Sequence, residues 1–126
     1  MTAIVYDAAV LIAADRSEKR TWLDHEARLQ GGVSPLVPAP VVAQVSRSPR
    51  QAQLRRFLDG CIIVPLDEAD AHQAGRLLAL TKTSDVVDAV VATVAARNNA
   101  VILTGDAADI GRLVGASGGA AAVVAA

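Results

Sequence analysis

The chain has 126 residues, 52% hydrophobic and 20% charged, which is enough apolar side chain for one packed domain and too little length for two. Twelve basic and thirteen acidic side chains leave a net charge of -1, which excludes a strongly basic nucleic-acid coat. Tyr6, Trp22 and Phe57 are the only aromatic residues, too few for modules that stack bases on aromatic platforms, and the single Cys61 rules out an intrachain disulfide or a multi-cysteine zinc site.

In chain order, residues 2–6 read as a short buried strand ending at Asp7. The Ala/Leu-rich stretch 8–14 predicts a helix. A second helix is expected over about 17–29, ended by Gly31-Gly32 because glycine enters the left-handed region cheaply. Residues 33–40 hold Pro35, Pro38 and Pro40 and predict a loop with at most a brief strand at Leu36-Val37. A helical turn at 41–46 follows, then a helix over 50–58 ended by Asp59-Gly60 and a strand over 61–65. Helices are expected at 67–80, 85–97 and 106–114, with a strand at 100–104 between the last two. The Ala/Gly-rich tail 116–126 reads as a last edge strand or a frayed end, within one domain spanning 1–126. Short apolar strands alternating with helices imply an α/β domain with a parallel β-sheet, since each parallel pairing needs a crossover. No apolar run reaches the ~20 residues of a spanning helix. No Lys or Arg precedes Asp7, so a secretory leader is not expected, and a cytoplasmic protein is.

The pattern D-x-x-D/E occurs four times, at Asp15/Glu18, Asp67/Asp70, Asp85/Asp88 and Asp106/Asp109. Each is also a helix-start signal, with the first acid capping and the second in the first turn. For Asp15/Glu18 and Asp67/Asp70 capping is the expected role. Asp7 and Asp106 differ, because both follow a predicted strand and should stand at the carboxyl edge of the sheet, where open α/β sheets bind ligands. In the helix over 85–97, Val87, Val90, Val91 and Val94 form a stripe that should pack on the sheet, and Asp85 and Asp88 share another face with Ala92 and Ala96. A capped, solvated helix end competes with a functional role there. If Asp7, Asp88 and Asp106 converge, with Asp85 or Asp109 nearby, their charges repel unless a cation balances them. Oxygen-only ligands favour Mg2+ or Mn2+, and such a site suits a metal-dependent nuclease.

Four segments carry a family resemblance: Val-Tyr-Asp-Ala-Ala-Val-Leu-Ile-Ala (5–13), Val-Pro-Ala-Pro-Val-Val-Ala-Gln-Val (37–45), Ser-Asp-Val-Val-Asp-Ala-Val-Val-Ala (84–92) and Leu-Thr-Gly-Asp-Ala-Ala-Asp-Ile (103–110). In order and separation they resemble PIN-domain ribonucleases, particularly VapC-type toxins of bacterial toxin–antitoxin pairs, over nearly the whole chain. The resemblance implies a single PIN-like domain with helices on both faces of the sheet, a Mg2+- or Mn2+-dependent endoribonuclease, a homodimer, and a VapB-like antitoxin that silences it. By that match Asp7, Asp88 and Asp106 are the acidic ligands, Asp85 and Asp109 accompany them, and Thr104 is a small hydroxyl residue beside the site. Gln44 departs from the pattern, which places glutamate there. The amide keeps the shape and removes a negative charge, so a catalytically weakened or inactive module that binds RNA or antitoxin without cutting is the alternative.

Arg47, Arg50, Arg55 and Arg56 follow Gln44, and Arg16, Lys19 and Arg20 follow Asp7; Arg16, Arg47 and Arg50 are candidate RNA-phosphate contacts or ordinary solvated surface. His25 and His72 have no second histidine at ligand spacing and are expected to pack or face solvent, while Cys61 is expected in the core. No phosphate-binding glycine loop and no nucleophile-elbow serine motif is present. A receiver-like phosphoacceptor domain also gathers acids at a sheet edge, but it needs a late lysine and none follows Lys82.

Overall fold

Five short strands pair in parallel in the order β3-β2-β1-β4-β5, where β1 is Ile4–Tyr6, β2 Leu36–Pro38, β3 Ile62–Val64, β4 Val101–Thr104 and β5 Ala122–Ala125. The structure is a computed structural model that describes residues 2–118 and 122–126. Val5 stands opposite both Leu36 and Ile102, so the apolar middle of β1 is the centre of the sheet. Val101–Thr104 pairs on its other side with Ala122–Ala125, which closes that edge.

Seven helices join the strands among the described residues: α1 Ala8–Asp15, α2 Lys19–Gln30, α3 Ala39–Val45, α4 Ala52–Asp59, α5 Glu68–Thr81, α6 Val86–Asn98 and α7 Ala107–Ser117. They form two packed groups. α1 packs with α2, α3 and α4, while α5, α6 and α7 pack on one another. Strand side chains alternate between faces. Tyr6 enters an aromatic cluster with Trp22, His25 and Phe57 from α2 and α4. Val5 therefore takes the other face, and α6 packs against β1. Among the described residues, no helix is long and apolar enough to cross a membrane.

The strands and helices lie where the hydrophobic pattern places them, with ends shifted by one to three residues. The brief strand expected at Leu36-Val37 runs on to Pro38, and α3 starts at once because Pro40 falls in its first turn, where a missing N–H costs nothing. Gly32 supplies the left-handed residue after α2, with φ of 83°. Gly60 serves space instead: a Cβ there would stand 2.8 Å from Leu29 Cδ1 and 3.1 Å from His25 Nε2.

Two expectations need correction. α6 is not a two-faced helix, since Asp88 through Ala95 are all buried. It lies between the sheet, α5 and α7, so Ala92 is as enclosed as the valine stripe. Asp15 does not cap α2 either. Glu18 takes the N-cap position without a side-chain cap, and Asp15 ends α1 and accepts a hydrogen bond from Gln51 Nε2 at 3.1 Å. The capping expected of Asp67 holds, because its Oδ1 accepts the Asp70 N–H at 2.8 Å.

Candidate active site

The strand order reverses between β1 and β4, and a crevice opens beyond the carboxyl ends of strands at such a switch point. Asp7 and Asp106 stand on its two sides. Asp7 caps α1: one carboxylate oxygen accepts the Ala8 N–H at 2.8 Å, and the other accepts the Thr104 hydroxyl proton at 2.6 Å. The same fully buried hydroxyl accepts the Asp106 N–H at 2.9 Å. A hydroxyl carries one proton and two lone pairs, so Thr104 can make both bonds at once. It ties the end of β1 to the end of β4.

The third wall is the start of α6. Asp85 caps that helix by accepting the Asp88 N–H at 3.0 Å, which fixes the first turn and leaves the Asp88 carboxylate buried in the crevice. Burial is the main reason that its pKa is pushed from 3.8 to about 7, and the charges of Asp85 and Asp7 and the hydrogen-bonded Asp106 add to the rise. Oxygens of Asp88, Asp106 and Asp109 lie within 4.8 Å of one another, close enough for one cation to touch all three. The capping expected at Asp85 is present, and Asp88, one turn on, is buried rather than solvated.

A cavity of about 140 Å3 adjoins this group, lined by Thr83, Asp85, Asp88, Asp109, Arg112 and Leu113. The Arg112 guanidinium donates to the Asp109 carboxylate one turn before it on α7. Arg112 is the residue that the sequence reading passed over. Its signal was the i, i+3 spacing from Asp109, which puts an acid and a base on one helix face.

The other candidates make no hydrogen bond or ion pair with these carboxylates. Gln44 is exposed on α3 and makes no hydrogen bond to these carboxylates. Arg16 ends α1, roughly 13 Å along the axis from Asp7 at 1.5 Å per residue. The Arg47 guanidinium donates to the Ala43 and Ser46 carbonyls at the end of α3. Gln51, bonded to both the Arg47 N–H and Asp15, brings that loop to the same end of α1. Arg50 is exposed in this loop, and Arg56 lies over the Trp22 ring. His25 is buried, with Nδ1 hydrogen-bonded to the Tyr6 hydroxyl at 2.8 Å, and Arg28 donates to the same hydroxyl oxygen at 3.1 Å. Burial lowers the His25 pKa and pushes Tyr6 up to about 12, so this set is neutral apart from Arg28 and fully bonded. His72 is exposed beside Glu68, and Cys61 is half-buried with its thiol toward the Phe57 carbonyl.

The PIN domain family profile matches residues 4–113. Among solved structures, the chain is similar to VapBC2 from Rickettsia felis bound to a DNA fragment from their promoter, with a TM-score of 0.76, 16% identity and 99% of each chain covered. It is similar to FitAcB from Neisseria gonorrhoeae (TM-score 0.65, 16% identity, 95% of each chain). PAE2754 from Pyrobaculum aerophilum also matches, with a TM-score of 0.61 and 16% identity over 98% of this chain and 91% of that one. At that identity the likeness is one of fold. No curated protein sequence matches the chain.

Proposed function

Because this chain belongs to the PIN-domain family, we propose that it is a metal-dependent endoribonuclease of the VapC type, which hydrolyses RNA phosphodiesters in the acidic crevice. The convergence of Asp88, Asp106 and Asp109 within 4.8 Å, beside Asp7 and Asp85, carries this reading. The donor set fits a hard divalent cation. It offers carboxylate oxygens alone, from residues distant in sequence, where their own charges oppose one another until positive charge is added.

Asp88, Asp106 and Asp109 would hold Mg2+ or Mn2+, with Asp7 and Asp85 against them. When bound, the ion supplies Lewis-acid charge toward a phosphodiester. The protein's own contribution is spacing. Thr104 holds Asp7 and Asp106 at a fixed separation, and the Asp85 cap holds the turn that carries Asp88. Such supporting bonds keep the ligands in place before substrate arrives. The acting unit spans 1–126, with β5 closing the sheet edge next to β4.

The fold likeness to VapBC2 and FitAcB supports pairing with a VapB-like antitoxin; a homodimer and a cytoplasmic setting are further parts of the proposed VapC-type reading. Arg16, Arg47 and Arg50 would meet RNA only beyond the crevice. Gln44 favours a second reading, a module that binds RNA or antitoxin without cutting, because an amide on α3 brings no ionisable oxygen to the site.

The deciding experiment is RNA cleavage by the purified protein in Mn2+ and in Mg2+, with EDTA, Asp88→Asn and Gln44→Glu run beside it. The nuclease reading expects cutting that EDTA abolishes and that Asp88→Asn lowers by about 100-fold or more, at or beyond the upper end of losses seen for outer-shell changes. A silent parent with an active Gln44→Glu variant would establish the second reading. Silence in both, in either metal, would remove the enzyme.

A further inference from the structure

The crevice gathers acids, yet an RNA nuclease must bring a polyanion into it. The positions of the cations therefore decide how a phosphate is admitted. Among the described residues, four arginines are committed elsewhere: Arg97 to Asp70, Arg28 to the Tyr6 hydroxyl, Arg20 to Asp24 and Arg47 to the end of α3. Arg112 differs. It lines the cavity shared by Asp85, Asp88 and Asp109, it donates to Asp109 through Nη2, and its side chain is 59% exposed. A guanidinium has five N–H donors in a planar fork. One bond to Asp109 leaves donors free on the open side. The cavity, about 140 Å3, is well below the ~300 Å3 where pockets for drug-sized ligands begin, and it has room for a phosphate group.

We infer that Arg112 is the positioning residue for the RNA backbone: it braces on Asp109 and offers the other edge of its fork to a phosphodiester oxygen of the strand lying in the crevice. The inference rests on the proposed RNA-binding role of the crevice, with or without cutting. Bracing keeps the fork preorganised, so less side-chain freedom is lost when the phosphate docks. The arrangement also places the anion beside Asp88, with the Arg112 cation between it and Asp109.

The test measures binding of a fluorescent, mixed-sequence single-stranded RNA in Ca2+ across a range of salt, and Mn2+ binding to the RNA-free protein by calorimetry. The proteins are the parent, Arg112→Ala, Arg112→Lys, Asp109→Asn and the Arg112→Ala/Asp109→Asn double variant. Loss of one charged phosphate contact should weaken RNA binding roughly ten-fold. It should also flatten the slope of log affinity against log salt by about 0.7. Arg112→Lys should keep the slope and recover part of the affinity, because it keeps the charge and loses the fork. In the Asp109→Asn background, where the fork has lost its charged brace, Arg112→Ala should still weaken RNA binding, by less than ten-fold.

Unchanged affinity and slope in Arg112→Ala would overturn the inference while leaving the nuclease reading intact. So would an effect that disappears in the Asp109→Asn background, since that makes Arg112 only a counterion for Asp109, or a matching drop in Mn2+ affinity, since the RNA would then be losing the metal site rather than a contact to Arg112. A parent that neither binds nor cuts RNA would defeat the proposed function and this inference together.

Discussion

Asp70 and Asp88 each stand three residues after a capping aspartate, in the first turn of α5 and of α6, and both are buried, at 5% and 7% exposure. The caps match as well. Asp67 accepts the Asp70 N–H at 2.8 Å, and Asp85 accepts the Asp88 N–H at 3.0 Å. Beyond the local turn the two diverge. Arg97 reaches across from the end of α6 and donates to both oxygens of Asp70, at 3.1 and 2.9 Å. Asp88 faces Asp7, Asp85 and Asp106. One buried carboxylate has its counterion built into the fold; the other lies among like charges and needs a proton or a cation from outside. The difference separates a structural acid from a ligand, and the cap geometry does not reveal it.

The comparison can be broken at Asp70. Arg97→Ala should strip that carboxylate of its counterion and destabilise the protein by about 2–3 kcal/mol, below the ~3–5 kcal/mol of a fully buried pair because Arg97 is 46% exposed. Urea unfolding at pH 7 measures it. A loss near zero would mean that Asp70 is solvated or relaxes, and that the two acids are less different than their distances indicate.

At Asp88 the comparison sharpens with pH. The folded pKa of about 7 lies above the unfolded value of 3.8, so between these pH values the folded protein holds a proton that the unfolded chain has released. Asp88 therefore contributes stability below about pH 4 that is lost as pH rises through about 7. Without metal, the midpoint of urea unfolding for the parent should fall relative to Asp88→Asn over this window and level off above it. Mn2+ binding, which must displace the same proton, should tighten over the same range. An unchanging difference between parent and Asp88→Asn from pH 4 to 8 would remove the charge-crowding account.

The smallest effect compares the caps themselves. Asp67→Ala should cost about 1 kcal/mol, the usual worth of an N-cap side chain. Asp85→Ala loses an equal cap and also removes one of the charges that oppose Asp88, so its net cost at pH 7 without metal should be lower. Equal losses in the two variants would show that Asp85 exerts no force on Asp88.

Much of the fold was legible in the chain because its signals are local. Short apolar runs marked the strands, and Gly31-Gly32, the three prolines before Val41 and the D-x-x-D spacings marked helix ends. Asp7 and Asp106 were legible as site candidates from their place after strands, and Asp85, Asp88 and Asp109 from the D-x-x-D spacing at helix starts, with the family segments assigning their roles. The burial of α6 on nearly all sides was not legible. A helix of Val, Ala and Thr shows little periodic contrast whether one face or every face is covered. The Thr104 bridge and the Arg112–Asp109 pair escaped a reading from composition and spacing, because each depends on where a side chain points.

The sequence by itself determined that two aspartates, Asp67 and Asp85, would cap two helices, since a cap needs only a side-chain oxygen and an N–H three residues on. Only the tertiary structure decided that Arg97, 27 residues beyond Asp70, would neutralise one first-turn acid while Asp7 and Asp106, at the ends of neighbouring strands, would crowd the other. Coulomb energy depends on separation in space and on the surrounding dielectric, and neither is encoded in a four-residue spacing.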